Sequence, residues 1–512
     1  METKIANYNY NAYVRAFEIL SEFEEKVKPF SLMYKSFPVW LGIRQYVYMY
    51  IVKILDPHIA ADFGSGVLNV NESLSYAHLL INKAKFINRS LILKSKITKD
   101  KCLIFSAEVC RRAIIDGESI NIFIDPIRMA DGDNEIIGVE KLSLNNSGYH
   151  KEMFYTLKQY DLLVLQGLSF ACEKVRSLFL RVPLKLDNPS LAEIIKNSDD
   201  ILLERDFIYK LINNFIIYLE LLMHYWKIVF KIVQPKLVVA TDWYSRANMI
   251  MFFIANKMGI PTIEVLHGLI NKYHTGYVFR NLLISQEFEY AFPNNLIVFG
   301  KLSKDILMKE GTLWKENAIF DLGYPWLDYS LNKLTVDKAG LKAKLNIKNG
   351  IKVLTITSQY TLQDDLKNIL FNLKIPQDWL VVIKIHPLET ISYKKIYRHF
   401  LNMPRIKFVS DGDIPFYDLL KISDAHASFY STTLWEASAF GISNYIIDHS
   451  AKDLVSELES LGVAKISSVQ DIFSDSYIPN KKVVDYIFSN LDGNSNKRFI
   501  DFFRKIKNSH IS

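Results

Sequence analysis

Cysteine is scarce in this chain: Cys102, Cys110 and Cys172 are the only three among 512 residues. Their spacing fits no zinc site and no disulfide framework, so a reducing cytoplasm is expected. Long uncharged apolar runs are missing too. No window offers the roughly 18 residues that a membrane-spanning helix needs. The nearest, Leu211 to Val233, is broken by Asn213, Asn214, Glu220, His224, Lys227 and Lys231 and reads as a long amphipathic helix. Met1 to Asn11 lacks the apolar centre of a signal peptide. A cytoplasmic protein is expected, with peripheral contact to the inner membrane as a further expectation. A strong charge excess is absent as well. The 62 basic and 55 acidic residues leave +7, which excludes a nucleic-acid footprint and suits anionic substrates or an anionic membrane surface. Walker loops, G-x-G-x-x-G, H-E-x-x-H and a D-x-D at a strand end are all lacking. The reading therefore requires no metal and no bound cofactor.

What is present is a globular composition, with 49% hydrophobic and 23% charged residues. Its 28 Tyr and 32 Phe suit core packing first and sugar stacking second. A chain of this length exceeds one core, so two domains are expected. Residues 1–95 read as a helical region, with helical apolar spacing at Val14 to Val27 and Val39 to Leu55. The aromatic segment Phe37 to Arg44 reads as a packed helix start. From 96 to 335 the pattern alternates. Strand-like runs occur at Cys102 to Ser106, Ile120 to Ile124, Leu162 to Leu165, Lys236 to Ala240, Thr262 to Leu266, Asn295 to Phe299 and Ala318 to Leu322. A Lys-rich stretch follows, and residues 336–490 form a second series with strands at Val353 to Thr357, Leu380 to Ile385, Ile406 to Val409, Ala425 to Ser428 and Tyr445 to Ile447. Residues 491–512 form a helical tail able to cross back to the first domain. Two doubly wound α/β domains of this kind, Rossmann-like and facing a cleft, are the GT-B arrangement. Their ligands bind beyond the carboxyl ends of the strands.

The motifs sit at such ends. Lys384 and His386 close an apolar strand, and Pro387 stops the ladder. Both side chains can serve a phosphate. Ser431, Thr432 and Thr433 open a helix whose amides and dipole favour an anion, and Glu436, one turn in, is placed to accept from ribose hydroxyls. Ser358 at the end of the preceding strand is a weaker phosphate candidate. In the first domain, His267 follows a strand, and Gly268 is expected to allow a tight turn that exposes the imidazole. His267 is the candidate general base and Asp242 its rival or orienter. Arg246, Lys272 and His274 are candidates for holding the acceptor. Asp411-Gly412-Asp413 reads as a turn.

At these residues the chain resembles bacterial surface-polysaccharide glycosyltransferases of GT-B type. It is similar to capsule polysaccharide biosynthesis proteins, which include Kdo and sialic acid transferases using CMP-sugars. It is also similar to teichoic-acid polymerases using CDP-glycerol, through His267-Gly268, Lys384 to Pro387 and Tyr430-Ser431-Thr432. The resemblance covers roughly Lys236 to Ile447. It departs at two points. Asp411-Gly412 follows the His-Pro where some sialyltransferases carry an acidic-acidic-Gly motif before it, and Ala427 to Phe429 stand where the teichoic-acid pattern has an Asp. The resemblance implies phosphate contacts from His386, Pro387, Ser431, Thr432 and Thr433. It implies a nucleotide-sugar co-substrate, CMP-linked acidic sugar first, and a surface polysaccharide or lipid-linked glycan acceptor. A CDP-glycerol-type phosphotransferase, a sugar-nucleotide epimerase and a non-catalytic nucleotide- or glycan-binding assembly protein remain as alternatives.

Overall fold

The structure, a computed structural model, describes residues 5–56, 101–107, 110–115, 118–132, 135–141, 189–280, 286–360, 362–447 and 457–509. The expected strand at Leu162 to Leu165 and Cys172 lie outside the described residues. Two six-stranded sheets organise the chain. The first contains β1 (Cys102–Ala107), β2 (Ile136–Lys141), β3 (Leu237–Ala240), β4 (Thr262–Val265), β5 (Asn295–Val298) and β6 (Ile319–Asp321). Its order is β6-β5-β4-β3-β1-β2 and every pairing is parallel. The second contains β7 (Lys352–Thr357), β8 (Trp379–Lys384), β9 (Ile406–Val409), β10 (Ala425–Ser428), β11 (Ser443–Ile446) and β12 (Lys465–Ile466). Its order, β9-β8-β7-β10-β11-β12, is also wholly parallel. Strand order reverses between β1 and β3 in the first sheet and between β7 and β10 in the second. These are the switch points where doubly wound sheets open a crevice. The fold is thus the expected pair of doubly wound Rossmann-like units of GT-B type, with an N-terminal helical region.

One expected strand is corrected. Ile120 to Ile124 does not enter the sheet. Glu118–Asn121 pairs antiparallel with Arg111–Ile115 in a separate hairpin. Asn121 Oδ1 then accepts from the Phe123 and Ile124 amides, a local side-chain turn that ends the strand.

Side-chain alternation explains the layers. Ile104, Val239, Ile263 and Val265 share one face of the first sheet with Phe499, Ile500, Phe502 and Phe503. Those last four lie on α6 (Ser495–Ser509), so the C-terminal helix does cross back onto the first sheet. Lys507 anchors it with a 2.7 Å bond to Glu135. In the second sheet Leu354 and Ile356 face one core and Val353 the other. Across the two units, Tyr417 stacks on Trp326 at 6.1 Å, and Lys421 Nζ donates to the carbonyls of Ser330 (2.5 Å) and Leu334 (2.8 Å).

The N-terminal helices α1 (Ile5–Val27) and α2 (Val39–Leu55) pack with α3 (Arg205–Val233) into the core on the opposite face of the first sheet. The Phe37 to Arg44 segment is a packed helix start: Phe37, Val39, Trp40, Leu41, Ile43 and Arg44 are all buried. Gly42 lets Phe215 of α3 approach, because a Cβ there would overlap its ring. Glu24 and Arg44 meet as a buried fork, Nε–Oε1 at 2.7 Å and Nη2–Oε2 at 3.0 Å. Trp40 Nε1 adds 2.7 Å to Oε1, and Arg44 Nη1 donates to the Thr275 carbonyl. No helix among the described residues is long and apolar enough to cross a membrane. Arg44→Met leaves the Glu24 carboxylate in the core without its counter-charge, held only by Trp40 Nε1, and should cost about 3–5 kcal/mol in denaturant unfolding. The double variant Glu24→Gln/Arg44→Met should recover part of that loss; equal losses would reduce the pair to simple packing.

Candidate active site

Strand β3 ends in Thr241-Asp242-Trp243, and the chain turns there through Asp242 in a left-handed conformation, φ 62°. A non-glycine residue held this way is strained, and the surroundings over-determine it. Asn248 Nδ2, on α4 (Arg246–Lys257), donates to the carbonyls of Thr241 (2.9 Å) and Asp242 (2.8 Å). Trp243 Nε1 donates 3.0 Å to the Gly276 carbonyl. The turn is therefore tied to the loop that carries His274 and Tyr277. Gly276 has no room for a side chain, because a Cβ would run into the Tyr244 ring.

Around this turn the structure gathers two predicted residues, Asp242 and His267, with a third, His274, and three that the sequence reading passed over. Tyr244 hydroxyl lies 3.3 Å from His267 Nε2. The Tyr244 ring stands edge-on to His274 (5.4 Å) and Tyr277 (5.5 Å). Tyr277 hydroxyl donates 2.7 Å to Glu264 Oε1. Glu264 sits on β4, fully buried, and its acid group is pushed well above the usual carboxyl range by burial and then by the nearby Asp242 charge. Burial first, then the neighbouring His267, lowers His274 to about 3. Its Nδ1 accepts from the Gly276 amide at 3.2 Å, so its proton resides on Nε2. Burial also raises Tyr244 and Tyr277, which keeps both phenols protonated. Together these groups form an acid–imidazole–phenol cluster at the carboxyl ends of adjacent parallel strands. The signal in the sequence was Glu264 itself, a carboxylate within the otherwise apolar run Thr262 to Leu266.

Gly268 is corrected. Its backbone is not left-handed, and a Cβ there would meet open space, so no glycine-only turn presents His267. The remaining acceptor candidates lie beside the cluster in different settings. The Arg246 guanidinium stacks 3.2 Å over the Tyr46 ring of α2. Lys272 is exposed, with Nζ 5.0 Å from the Tyr273 ring.

In the second unit the predicted residues flank the β7/β10 switch point, but several are engaged within the protein. Lys384 is buried; Nζ pairs with Asp411 at 2.5 Å and donates 2.6 Å to the Ile414 carbonyl. Its charge joins the strand end to the Asp411 turn, which corrects its expected pairing with His386 on one anion. Ser358 is also buried. Its hydroxyl donates to Glu389 Oε2 and accepts from the His386 amide at 2.9 Å. The one hydroxyl hydrogen is thereby committed, and Ser358 positions His386 rather than donating to a phosphate. Tyr397 completes the Glu389 carboxyl at 2.9 Å. The His386 ring lies 5.1 Å from Tyr360, and Pro387 opens the short turn Pro387–Glu389.

Thr357 Oγ1 donates 2.7 Å to Ser428 Oγ, so Thr433 Oγ1, at 2.9 Å, donates to Thr357. Thr433 thus anchors the helix start α5 (Thr433–Ala437). Ser431 Oγ accepts from the Thr433 amide at 3.3 Å, a local hydroxyl turn ahead of the helix, whose N-cap Thr432 makes no side-chain cap bond. Thr432 is exposed. The Glu436 carboxyl is hydrogen-bonded by Tyr417, which also reaches Tyr324, so the expected ribose acceptor is shared with a contact between the units. Below the cluster His426 Nδ1 meets Asn444 Oδ1 at 2.8 Å. Asn444 Nδ2 donates to the Leu434 and Val463 carbonyls, so the imidazole proton must sit on Nδ1.

No family model matches the chain, and no curated protein matches it. Among solved structures it is similar to the UDP-GlcNAc 2-epimerase of Neisseria meningitidis bound to UDP-GlcNAc, with 14% identity and a TM-score of 0.44 over 80% of this chain and 100% of that one. It is similar to the Methanocaldococcus jannaschii UDP-GlcNAc 2-epimerase in complex with UDP-GlcNAc and UDP, with 14% identity and a TM-score of 0.44 over 79% and 99%. It is also similar to the wall teichoic acid polymerase TagF, with 11% identity and a TM-score of 0.43 over 84% and 99%. The roles proposed below rest on this chain's own residues.

Burial lowers His426 from 6.5 to about 4. Between those values the unfolded chain takes up a proton that the folded chain refuses, so stability falls as pH drops through that window. The contribution is about 1.4 kcal/mol per pH unit from this group. His426→Gln should therefore lose less stability than wild type on acidification from pH 6.5 to 4. Parallel unfolding curves would mean that His426 charges while folded.

Proposed function

We propose that the chain is a transferase that moves a sugar from a nucleotide-sugar donor to a surface polysaccharide or lipid-linked glycan, with a CMP-linked acidic sugar as the first choice of donor. The observation that carries this reading is the acid–imidazole–phenol cluster at the carboxyl ends of β3 and β4, in which Glu264 and Tyr277 are buried and Asp242, Tyr244 and both imidazoles are half-buried. It accompanies a second sheet whose switch point carries hydroxyls and an imidazole. Donor phosphate recognition falls to His386, Ser431 and Thr432. Lys384, Ser358 and Thr433 shape that surface from behind. Glu436 meets the ribose if Tyr417 yields its place.

Inverting transfer needs a base for the acceptor hydroxyl. In the tautomer that serves as a base, His267 carries its proton on Nδ1 and Nε2 accepts from the Tyr244 hydroxyl. That nitrogen thus presents its lone pair outward from the imidazole. An acceptor hydroxyl that takes the place of the Tyr244 hydroxyl would deliver its proton there as the oxygen attacks the anomeric carbon. The nucleotide phosphate leaves against His386, Ser431 and Thr432. Asp242, held in its left-handed turn, can balance the imidazolium that forms. Arg246 and His274 border the acceptor side.

An epimerase is the second reading. Asp242 and two imidazoles lie around one place, and proton removal and return on a sugar carbon requires acid–base groups of this kind. Incubation with UDP-GlcNAc and no acceptor separates the readings, since an epimer or a free sugar would favour epimerisation.

For the transferase, His267→Ala should lower turnover by roughly 10²–10⁴-fold and leave nucleotide binding intact. His386→Ala should remove the thermal shift given by CMP. Full turnover in His267→Ala would remove His267 as the base. A panel of CMP, CDP, UDP and GDP that leaves wild type unshifted would remove the nucleotide site.

A further inference from the structure

Glu264 occupies an unusual place. Along β4, Ile263 and Val265 pack toward α6. Glu264 pairs in register with Ala240 of β3, and Ala240 belongs to the apolar face that packs with the N-terminal helices. A carboxyl in such a layer costs several kcal/mol unless its hydrogen bonds are made. Tyr277 supplies one, at 2.7 Å. Its Oε2 has no hydrogen-bond partner and lies close to the Asp242 and Trp243 backbone. Asp242 is the residue whose φ is 62°. One side chain thus lies beside the strained turn that presents Asp242 and holds the phenol that packs against Tyr244 and His274.

We propose that Glu264 is the positioning residue of this site: its carboxyl fixes Tyr277 beside the Asp242 turn and, through the Tyr244–His274–Tyr277 rings, sets the place of the His267 imidazole. It acts on its neighbours and not on substrate. The chain of contacts is continuous: Glu264 to Tyr277, Tyr277 ring to Tyr244 at 5.5 Å, and Tyr244 hydroxyl to His267 at 3.3 Å. His274 closes the circle, 4.9 Å from Tyr277. Burial and the Asp242 charge both push its acid group up, which opposes a second negative charge beside Asp242. The titratable groups around it are Asp242 on the β3 turn, Tyr244 ahead of α4, and Tyr277 on the following loop. Those around His274 are the same phenols, His267 and Arg44 of α2.

The inference deepens the reading of this cluster as acid–base machinery, yet its test needs no turnover. The full chain is labelled with ¹³C-histidine, and the His267 and His274 signals are assigned with His267→Gln and His274→Gln. The His267 titration is then followed in Glu264→Gln, Glu264→Leu and Tyr277→Phe. Glutamine keeps an oxygen for Tyr277, so His267 should titrate as in wild type. Loss of the hub in Glu264→Leu, or of its phenolic bond in Tyr277→Phe, should displace the titration by about one pH unit. If the leucine variant does not fold, Tyr277→Phe decides alone, because it removes a single oxygen. A wild-type His267 titration in folded Tyr277→Phe would overturn the proposal. So would a displacement in Glu264→Gln as large as in Glu264→Leu. Wild type that turns over no nucleotide sugar would remove the transferase reading while leaving this titration result standing.

Discussion

The buried Glu24–Arg44 pair is the contact on which the first site depends. Arg44 uses two nitrogens on the carboxylate and a third on the Thr275 carbonyl. Its guanidinium also lies 4.2 Å over Phe279. The N-terminal helices therefore form one wall of the loop that carries His274 and Tyr277. Phe17 against Tyr273, at 5.8 Å, and Arg246 over Tyr46 extend the same wall. A charged pair in a core adds little net stability over apolar packing, but breaking one partner is costly. Such a pair selects one arrangement of the loop over its alternatives. What looked like an accessory helical region is thus part of the site's framework.

The second unit follows a different logic. Its strand-end polar groups form closed hydrogen-bond sets: Lys384 with Asp411, Ser358 with Glu389, Thr357 with Ser428 and Thr433. A hydroxyl has one hydrogen to give, so each bond made inward removes a donor from any ligand. The inward set fixes where His386, Ser431 and Thr432 stand. Rigid support of this kind is what lets a few outward groups orient a substrate without reorganising.

The sequence was most legible where local rules are strong. Parallel strands buried on both faces read as apolar runs, and β7, β8 and β3 appear within a residue or two of expectation. The left-handed Gly441 at the end of that helix segment follows from residue type alone. Ile120 to Ile124 misled because a strand-length apolar run does not state its partner, and the Asn121 side chain closed the turn first. Lys384 and Ser358 misled for a related reason. Their residue types suit a phosphate, but the nearer partners Asp411 and Glu389 come from loops whose approach the sequence does not display.

By itself, then, the amino-acid sequence determined the two alternating α/β series, the strand ends where polar residues collect, and the lack of an uncharged apolar run of membrane-spanning length. These depend on periodicity, turn chemistry and apolar run length, which are local properties. Only the tertiary structure decided which polar groups face one another. Glu264 meets Tyr277 across 13 positions and Arg44 meets Thr275 across 231. Donor and acceptor capacity is a property of the residue, but the partner that takes it up is set by how strands and helices pack. That assignment decides whether a lysine serves a ligand or a fold.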